Sequence, residues 1–488
     1  MRRHLPHRLA VLLILLATPL AALAGEWKAL EQLQRDSGVR ISAAALDLDN
    51  GQALQLLNPE QRLNAASLTK LVLAAAALDT WDPDHSAATE LHADGRLRDG
   101  RLEGNLYLQG QGDATLEHRD LWLLAAQLRQ AGLRTVQGNL YVSTLPFGRQ
   151  DCATPDRCEA QGYTLGSYAA PLASVGVDYG SWCIELPPAT AGSAIAPRSC
   201  AGVPLPIGLE GRVEGRSARN GQALRLARTL VEDGEMLRVE GTVEPGSNPR
   251  EYRSMANPEL GAGLLLRQVL AELGVQVGGR VLLIDERPPA TARQLATVQG
   301  LPLREQLTRM MRYSNNYIAD MLTLGIAQDR HPGEKRSLAE AAELLSARIV
   351  QARQAAGDGP VAPPLLLSGS GLTPENELSA RDLVALLQDE YRRPRTFPVF
   401  YAGLVVPADA PGSRMREGSA AWLERVAAKT GTMSEPHSVF GLAGYLRKRE
   451  GGWIAFAVIS NGRPGKPVSS REVLKYLRAD LDVLLESH

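Results

Sequence analysis

Apolar and polar positions alternate over residues 39–47 and again over 52–57, and Asp49-Asn50-Gly51 between them supplies turn residues. The pattern predicts a β-hairpin. From Ser67 it changes: leucine and alanine dominate and no breaker occurs before Pro83, which predicts a helix starting near Ser67. Between about 85 and 290, short apolar runs are separated by Gly, Pro, Asn and Asp. That texture predicts mostly β-structure in one or two inserted subdomains, interrupted by helices at 120–132 and 259–274. Beyond 300, helical periodicity recurs over 303–313, 315–327, 337–357 and 380–391, predicting an all-α lobe. Alternation returns at 426–432, 438–446 and 453–460 as an antiparallel ladder, and residues 469–486 predict a closing amphipathic helix. The expected architecture is α+β: one domain from 25–84 and 291–488, with 85–290 inserted into it.

Residues 1–24 stand apart from this pattern. Arg2, Arg3 and Arg8 precede an apolar run from Leu9, and Ala22-Leu23-Ala24 closes it. This is the form of a secretory signal peptide, too short to span a membrane, so an exported, periplasmic protein is expected. No later segment approaches 18 uninterrupted apolar residues, and no transmembrane anchor is expected. The closing segment from Val468 is mixed in charge and has no basic apolar face for a membrane surface. All four cysteines, Cys152, Cys158, Cys183 and Cys200, fall in one stretch, which suits a local disulfide framework in an oxidising compartment. Three pairings exist; the short loops favour Cys152 with Cys158 and Cys183 with Cys200.

Composition narrows the function. Of 488 residues 44% are hydrophobic, and 53 basic side chains face 54 acidic ones. A disordered chain is excluded, and so is a whole-chain attraction to nucleic acid. Six histidines after residue 24, His85, His92, His118, His331, His437 and His488, show no metal-ligand spacing, so no metal is expected. No cofactor is implied either: Gly110-Gln111-Gly112 lacks the third glycine of a dinucleotide loop, and no Gly-x-Ser-x-Gly elbow is present. Asp113 reads as a turn-forming residue rather than a site carboxylate.

Lysine is scarce, seven residues against 46 arginines, so each lysine position is informative. In Ser67-Leu68-Thr69-Lys70 a hydroxyl at a helix start is followed three positions later by an amine on the same face. A lysine can take a serine proton only if burial or a nearby cation lowers its pKa. Lys429-Thr430-Gly431-Thr432 lies at the edge of a predicted strand, where the glycine lets a ligand approach the backbone closely. Ser314-Asn315-Asn316, between two predicted helices, offers a hydroxyl and an amide that could orient a proton relay, or simply cap a helix. Singly these motifs are weak; in this order, on this frame, they are specific.

Together they resemble the class C low-molecular-mass penicillin-binding proteins of peptidase family S13, the D-alanyl-D-alanine carboxypeptidases and endopeptidases. Ser67 and Ser314 are 247 positions apart, which matches that family's large insertion. Gly110-Gln111-Gly112-Asp113-Ala114-Thr115-Leu116, Tyr168-Ala169-Ala170-Pro171, Asn257-Pro258 and Ser368-Gly369-Ser370-Gly371-Leu372 extend the likeness over about 39 to 462. Two positions depart from it: Asn315 and Ser368 stand where aspartate is usual. The resemblance implies a five-stranded antiparallel sheet flanked by helices, an all-helical lobe and a mostly β insertion. It implies an acyl-enzyme on Ser67, with Lys70 as base. Ser314 and Asn316 would relay protons and hold the substrate, and Lys429 would add positive field. Thr430, Gly431 and Thr432 would bind substrate, with the amides of Ser67 and Thr432 as oxyanion hole. The implied partners are peptidoglycan stem peptides, cut at D-Ala-D-Ala or at D-Ala-meso-diaminopimelate cross-links, and β-lactams as inhibitors; a homodimer is left open. A β-lactamase or D-amino-acid esterase on the same core, and an acylable sensor with little turnover, are the competing readings.

Overall fold

The computed structural model describes residues 26–150, 152–163, 165–200, 204–216, 223–232 and 234–488. The expected signal peptide lies outside the described residues. Within them no helix is long and apolar enough to cross a membrane.

The frame is built from both chain ends. It comprises α1 (Lys28–Ser37), β1 (Arg40–Asp47), β2 (Ala53–Leu57), α2 (Thr69–Thr80), α3 (Leu303–Tyr313), α4 (Asn316–Arg330), α5 (Leu338–Ala355), α6 (Ala380–Tyr391), β3 (Val426–Met433), β4 (Val439–Arg447), β5 (Trp453–Asn461) and α7 (Ser470–Ser487). The sheet runs β2-β1-β5-β4-β3, antiparallel throughout, with β3 at its edge. Because successive side chains point to opposite faces, β1 feeds two cores. Ile41, Ala43 and Ala45 pack with α1 and α7, while Ala44 and Leu46 face α2 and the helical lobe. The sequence pattern does not announce α1, whose buried stripe is only Leu30 and Leu33. Its first turn is capped from the other end of the chain: Asp480 on α7 accepts the amides of Ala29 and Leu30 at 3.0 and 2.9 Å.

Helix α2 is buried nearly all round, from Thr69 to Leu78, as its unbroken Leu/Ala run requires. It packs against α4, α5 and α6. Helices α5 and α6 each begin with a reciprocal capping box, Ser337 with Glu340 and Ser379 with Asp382.

Between α2 and α3 the chain forms sheets of its own that share no strand with the five-stranded sheet. One runs Val281–Ile284, Leu140–Ser143, Leu106–Gly110, Ala88–Ala93, Arg293–Gln299, and carries the helices His118–Gln130 and Pro258–Glu272. Others surround Ser181–Glu185 and the long hairpin Ala223–Val231 with Gly234–Val243. Their buried side chains form one cluster distinct from the two cores of the frame. The cysteines pair Cys152–Cys158 and Cys183–Cys200, as the short loops favoured. A helix at Pro155–Tyr163, absent from the sequence expectation, sits beside the first bridge. The motif-bearing loops of this segment pack back onto the frame, where Ala114, Phe147, Ala170 and Leu172 join its core.

Candidate active site

Ser67 lies in a single 3-10 turn, Ala66–Leu68, that leads into α2. The turn is sharp: Ala66 has φ of 45°, a left-handed conformation rare for a residue with a side chain. Two glycines make room for it. A Cβ on Gly371 would lie 2.0 Å from the Ala66 carbonyl oxygen, and one on Gly431 2.7 Å from that of Ala65. Gly431 was expected to let a ligand reach the strand; in the structure it also lets the Ser67 turn reach it.

One helical turn on, Lys70 is fully buried. Its Nζ lies 2.9 Å from Ser67 Oγ, 2.8 Å from Asn316 Oδ1 and 2.6 Å from the Ser370 carbonyl oxygen; the amide and carbonyl oxygens can take the two protons of a neutral amine, which leaves its lone pair for the Ser67 hydroxyl. Lys429, on β3, is also buried and donates to Ser314 Oγ at 3.1 Å and to the Thr430 carbonyl at 2.6 Å. Neither lysine forms an ion pair among the described residues. Burial therefore pushes the Lys70 amine well below its usual range, and the Lys429 charge lowers it further against the opposing pull of Asp320. Burial takes Lys429 to about 7.

The Ser314-Asn315-Asn316 turn both caps and serves the cleft. Ser314 ends α3 with φ of 53°, and Asn315 begins α4, its Oδ1 accepting from the Ile318 amide at 2.9 Å. An aspartate there would accept the same bond, which accounts physically for Asn315 in the place of the family's usual residue. Asn316 projects into the cleft, accepting from Lys70 and donating through Nδ2 to the Tyr168 carbonyl at 3.0 Å.

Behind this layer is a support that the motifs do not reveal. Asp320, fully buried one turn after Asn316, accepts from the Ser370 amide at 2.8 Å and pairs with the buried Arg157. Arg157 in turn donates to the Ala170 carbonyl at 2.7 Å. An arginine from the Cys152–Cys158 helix thus fixes Asp320, which fixes the loop whose carbonyl holds Lys70. Only the Asn316-to-Asp320 spacing on one helix face could have hinted at this; Arg157 has no sequence signal. The second departure from the family pattern is accommodated in the same loop. Ser368 Oγ accepts from the Gly371 amide at 3.1 Å, and Asn376 donates to the Ser368 carbonyl at 2.8 Å. Asp113 is where its turn-forming reading put it, away from the cleft, accepting from the Thr115 amide and hydroxyl at 2.8 and 2.7 Å. Burial raises its pKa to about 6.

Ser67, Ser314, Asn316, Thr430 and Thr432 open onto one cavity of about 720 Å³. Lys70, Lys429 and Gly431 lie beneath or beside it rather than among its lining residues. Among the described residues its rim carries three carboxylates, Asp156, Glu159 and Glu435, and no basic side chain. A serine beside a deprotonatable lysine, with a second serine–lysine pair across the same cavity, is equipped for acyl transfer through the first hydroxyl.

A family model for the D-Ala-D-Ala carboxypeptidase 3 (S13) family matches residues 27–487. The chain belongs to that family. It is a serine peptidase of the D-Ala-D-Ala carboxypeptidase type. Among characterised relatives, it is 30% identical over 450 residues to a D-alanyl-D-alanine carboxypeptidase of Actinomadura sp. strain R39, covering 88% of this chain and 79% of that protein. It is 25% identical over 441 residues to the D-alanyl-D-alanine carboxypeptidase DacB of Haemophilus influenzae, covering 87% and 86%. The crystal structure of penicillin binding protein 4 from Haemophilus influenzae superposes with a TM-score of 0.75 at 21% identity, over 93% of this chain and 99% of that one. The S13 fold is therefore present from end to end of the described chain, insertion included.

Proposed function

We propose that this S13 peptidase works through Ser67 as nucleophile and Lys70 as its base. The observation that carries the assignment is the 2.9 Å contact between Lys70 Nζ and Ser67 Oγ, made by an amine that burial and Lys429 hold toward its neutral form. Neutral Lys70 takes the Ser67 proton as Oγ attacks the carbonyl of the penultimate D-alanine. The amides of Ser67 and Thr432, both on the cavity wall, receive the developing oxyanion. Ser314, bonded to Lys429, passes a proton to the departing amine, and Asn316 holds the substrate amide while orienting Lys70. Thr430 and Thr432 line the side where the substrate backbone runs along edge strand β3. Water then hydrolyses the ester. β-Lactams acylate the same hydroxyl.

The three rim carboxylates suit a stem peptide whose third residue presents an ammonium group. Two disulfides suit an oxidising compartment, and we assign residues 1–24 as the export signal to the periplasm. Defined muropeptides incubated with the mature protein and with Ser67→Ala test the reading. D-Alanine release and penicillin adduct formation, both followed by mass spectrometry, are expected to vanish in the variant, a loss of about 10⁴-fold or more. Persistence of either in Ser67→Ala sinks the assignment of the nucleophile.

A further inference from the structure

Three residues before Ser67 stands Asn64, a side chain that lies outside every motif. It is 2% exposed and belongs to the two-residue strand Leu63–Asn64, which pairs with Glu377–Leu378. Its own peptide groups both go to one side chain. Asn64 N donates to Asn461 Oδ1 at 2.9 Å, and Asn461 Nδ2 donates back to the Asn64 carbonyl at 2.9 Å. Asn461 is fully buried and ends β5, so its carboxamide continues the five-stranded sheet as the peptide group of a further strand would.

The side chain of Asn64 reaches toward both of the amides assigned to the oxyanion. Its Oδ1 accepts from the Ala66 amide at 2.8 Å, one residue before Ser67, and its Nδ2 lies 3.5 Å from Met433 Sδ, one residue after Thr432. Met433, Val439 and Asn461 are successive partners across β3, β4 and β5, so they share one row on one face of the sheet. Held to Asn461 by its backbone and touching Met433 with its side chain, Asn64 spans that row.

Ala66 gives the reason for a buried polar side chain here. Its φ of 45° persists only where the surroundings impose it. Gly371 and Gly431 leave room for the turn, but room alone does not select a conformation. The bond from Ala66 N to Asn64 Oδ1 does, because it holds the peptide plane about which Ala66 is turned. An apolar residue at 64 would release that plane, let Ala66 relax toward the right-handed basin and swing the Ser67 N–H away from the cleft.

We propose that Asn64, seated on Asn461, is a positioning residue that sets the Ser67 amide against the Thr432 amide in the oxyanion hole. The inference rests on the reading of those two amides given above. Neither asparagine is among the residues that line the cavity, and Asn64 acts through the backbone of Ala66. An oxyanion hole meets charge that develops only in the transition state, so a displaced donor costs rate rather than binding.

Penicillin acylation of the mature full-length protein tests this by three readings: the fraction of molecules labelled on Ser67, the limiting rate at saturation and the apparent dissociation constant. In Asn64→Ala the limiting rate is expected to fall about 10–100-fold while the dissociation constant stays within about two-fold. Asn461→Ala should lower the rate in the same direction. Asn64→Ser, whose hydroxyl can accept the same amide, should recover most of the loss and keeps the test available should an alanine variant not fold. The acid limb of the pH–rate profile should stay at its wild-type position, because the Ser67 amide is disturbed and the Lys70 amine is not. A purely structural role would lower the labelled fraction and leave the rate of the labelled molecules unchanged, which overturns the proposal. So does a weaker dissociation constant at an unchanged limiting rate, or a shifted acid limb, which would place the effect on Lys70. A wild type that carries no label on Ser67 removes the reading of the site as well, whereas a labelled wild type with unaffected variants removes only the part given to Asn64.

Discussion

Two sets of buried cations lie on the helical side of the molecule, and they are treated in opposite ways. Arg348 on α5 is 3% exposed and meets three carboxylates: Asp79 at 2.7 Å, Asp389 at 2.6 Å and Glu390 at 2.5 Å. Arg353, one turn further, pairs with Asp382 at 2.8 Å, Glu60 at 2.9 Å and also Asp358. Lys70 and Lys429 are as deeply buried but meet only hydroxyls, an amide oxygen and backbone carbonyls. Guanidinium cannot shed its proton, so a buried arginine must be neutralised by partners. An amine can, so a buried and unpaired lysine gives up charge and becomes a base. The difference explains why a chain with 46 arginines and seven lysines spends two of the seven in the cleft.

Replacing one cation from each set exposes the contrast most sharply. Lys70→Met should lower acylation by penicillin by about 10²–10⁴-fold, the usual range for a lost general base, measured by intact mass over time. Arg348→Met should leave acylation by the folded protein intact yet lower stability by about 3 kcal/mol, because buried Glu390 loses its nearest cation and is left, with Asp389, to Arg393 alone. Urea denaturation of both variants is the check. If Lys70→Met proves the more destabilised, the lysine cluster is structural after all.

A smaller effect concerns pH. If Lys70 acts as proposed, it must be neutral, so activity is expected above its lowered pKa and is lost as pH falls through it. Lys429→Ala removes a positive neighbour that lowers that pKa. The acid limb of the pH–acylation profile should therefore move to higher pH; a limb that stays put or moves down would remove Lys429 from this role. Smallest of all is Asn315→Asp, which retains the Oδ1 that caps α4 and should change the urea midpoint by less than about 0.5 kcal/mol equivalent.

Much of the frame was legible because its patterns are local. The hairpin β1–β2, the Leu/Ala helix α2 and the four helices of the lobe all show periodicity long enough to read. Helix Pro155–Tyr163 was not legible, since its nine residues include Pro155, Asp156 and Gly162 and no apolar stripe. Helix α1 was missed for a related reason, its cap coming from Asp480 some 450 positions away. In the site, Ser67, Lys70, Ser314, Asn316 and Lys429 could be named because each stands in a short motif. Ser370 contributes a carbonyl and Arg157 acts through Asp320, and neither a backbone atom nor a third-layer partner leaves a residue signature.

By itself, then, the sequence determined most segments of helix and strand and singled out the side chains to which the chemistry is here assigned, because spacing of three or four residues and alternation of two are written directly in the chain. Only the tertiary structure decided that α1 and α7 cover one face of a sheet whose strands come from both ends of the chain. It alone brought Lys429 and Lys70 close enough for one charge to suppress the other, and wedged Arg157 beneath the loop whose carbonyl holds Lys70. Those outcomes depend on contacts between residues hundreds of positions apart, and a pKa belongs to the surroundings that burial creates, not to the residue that carries it.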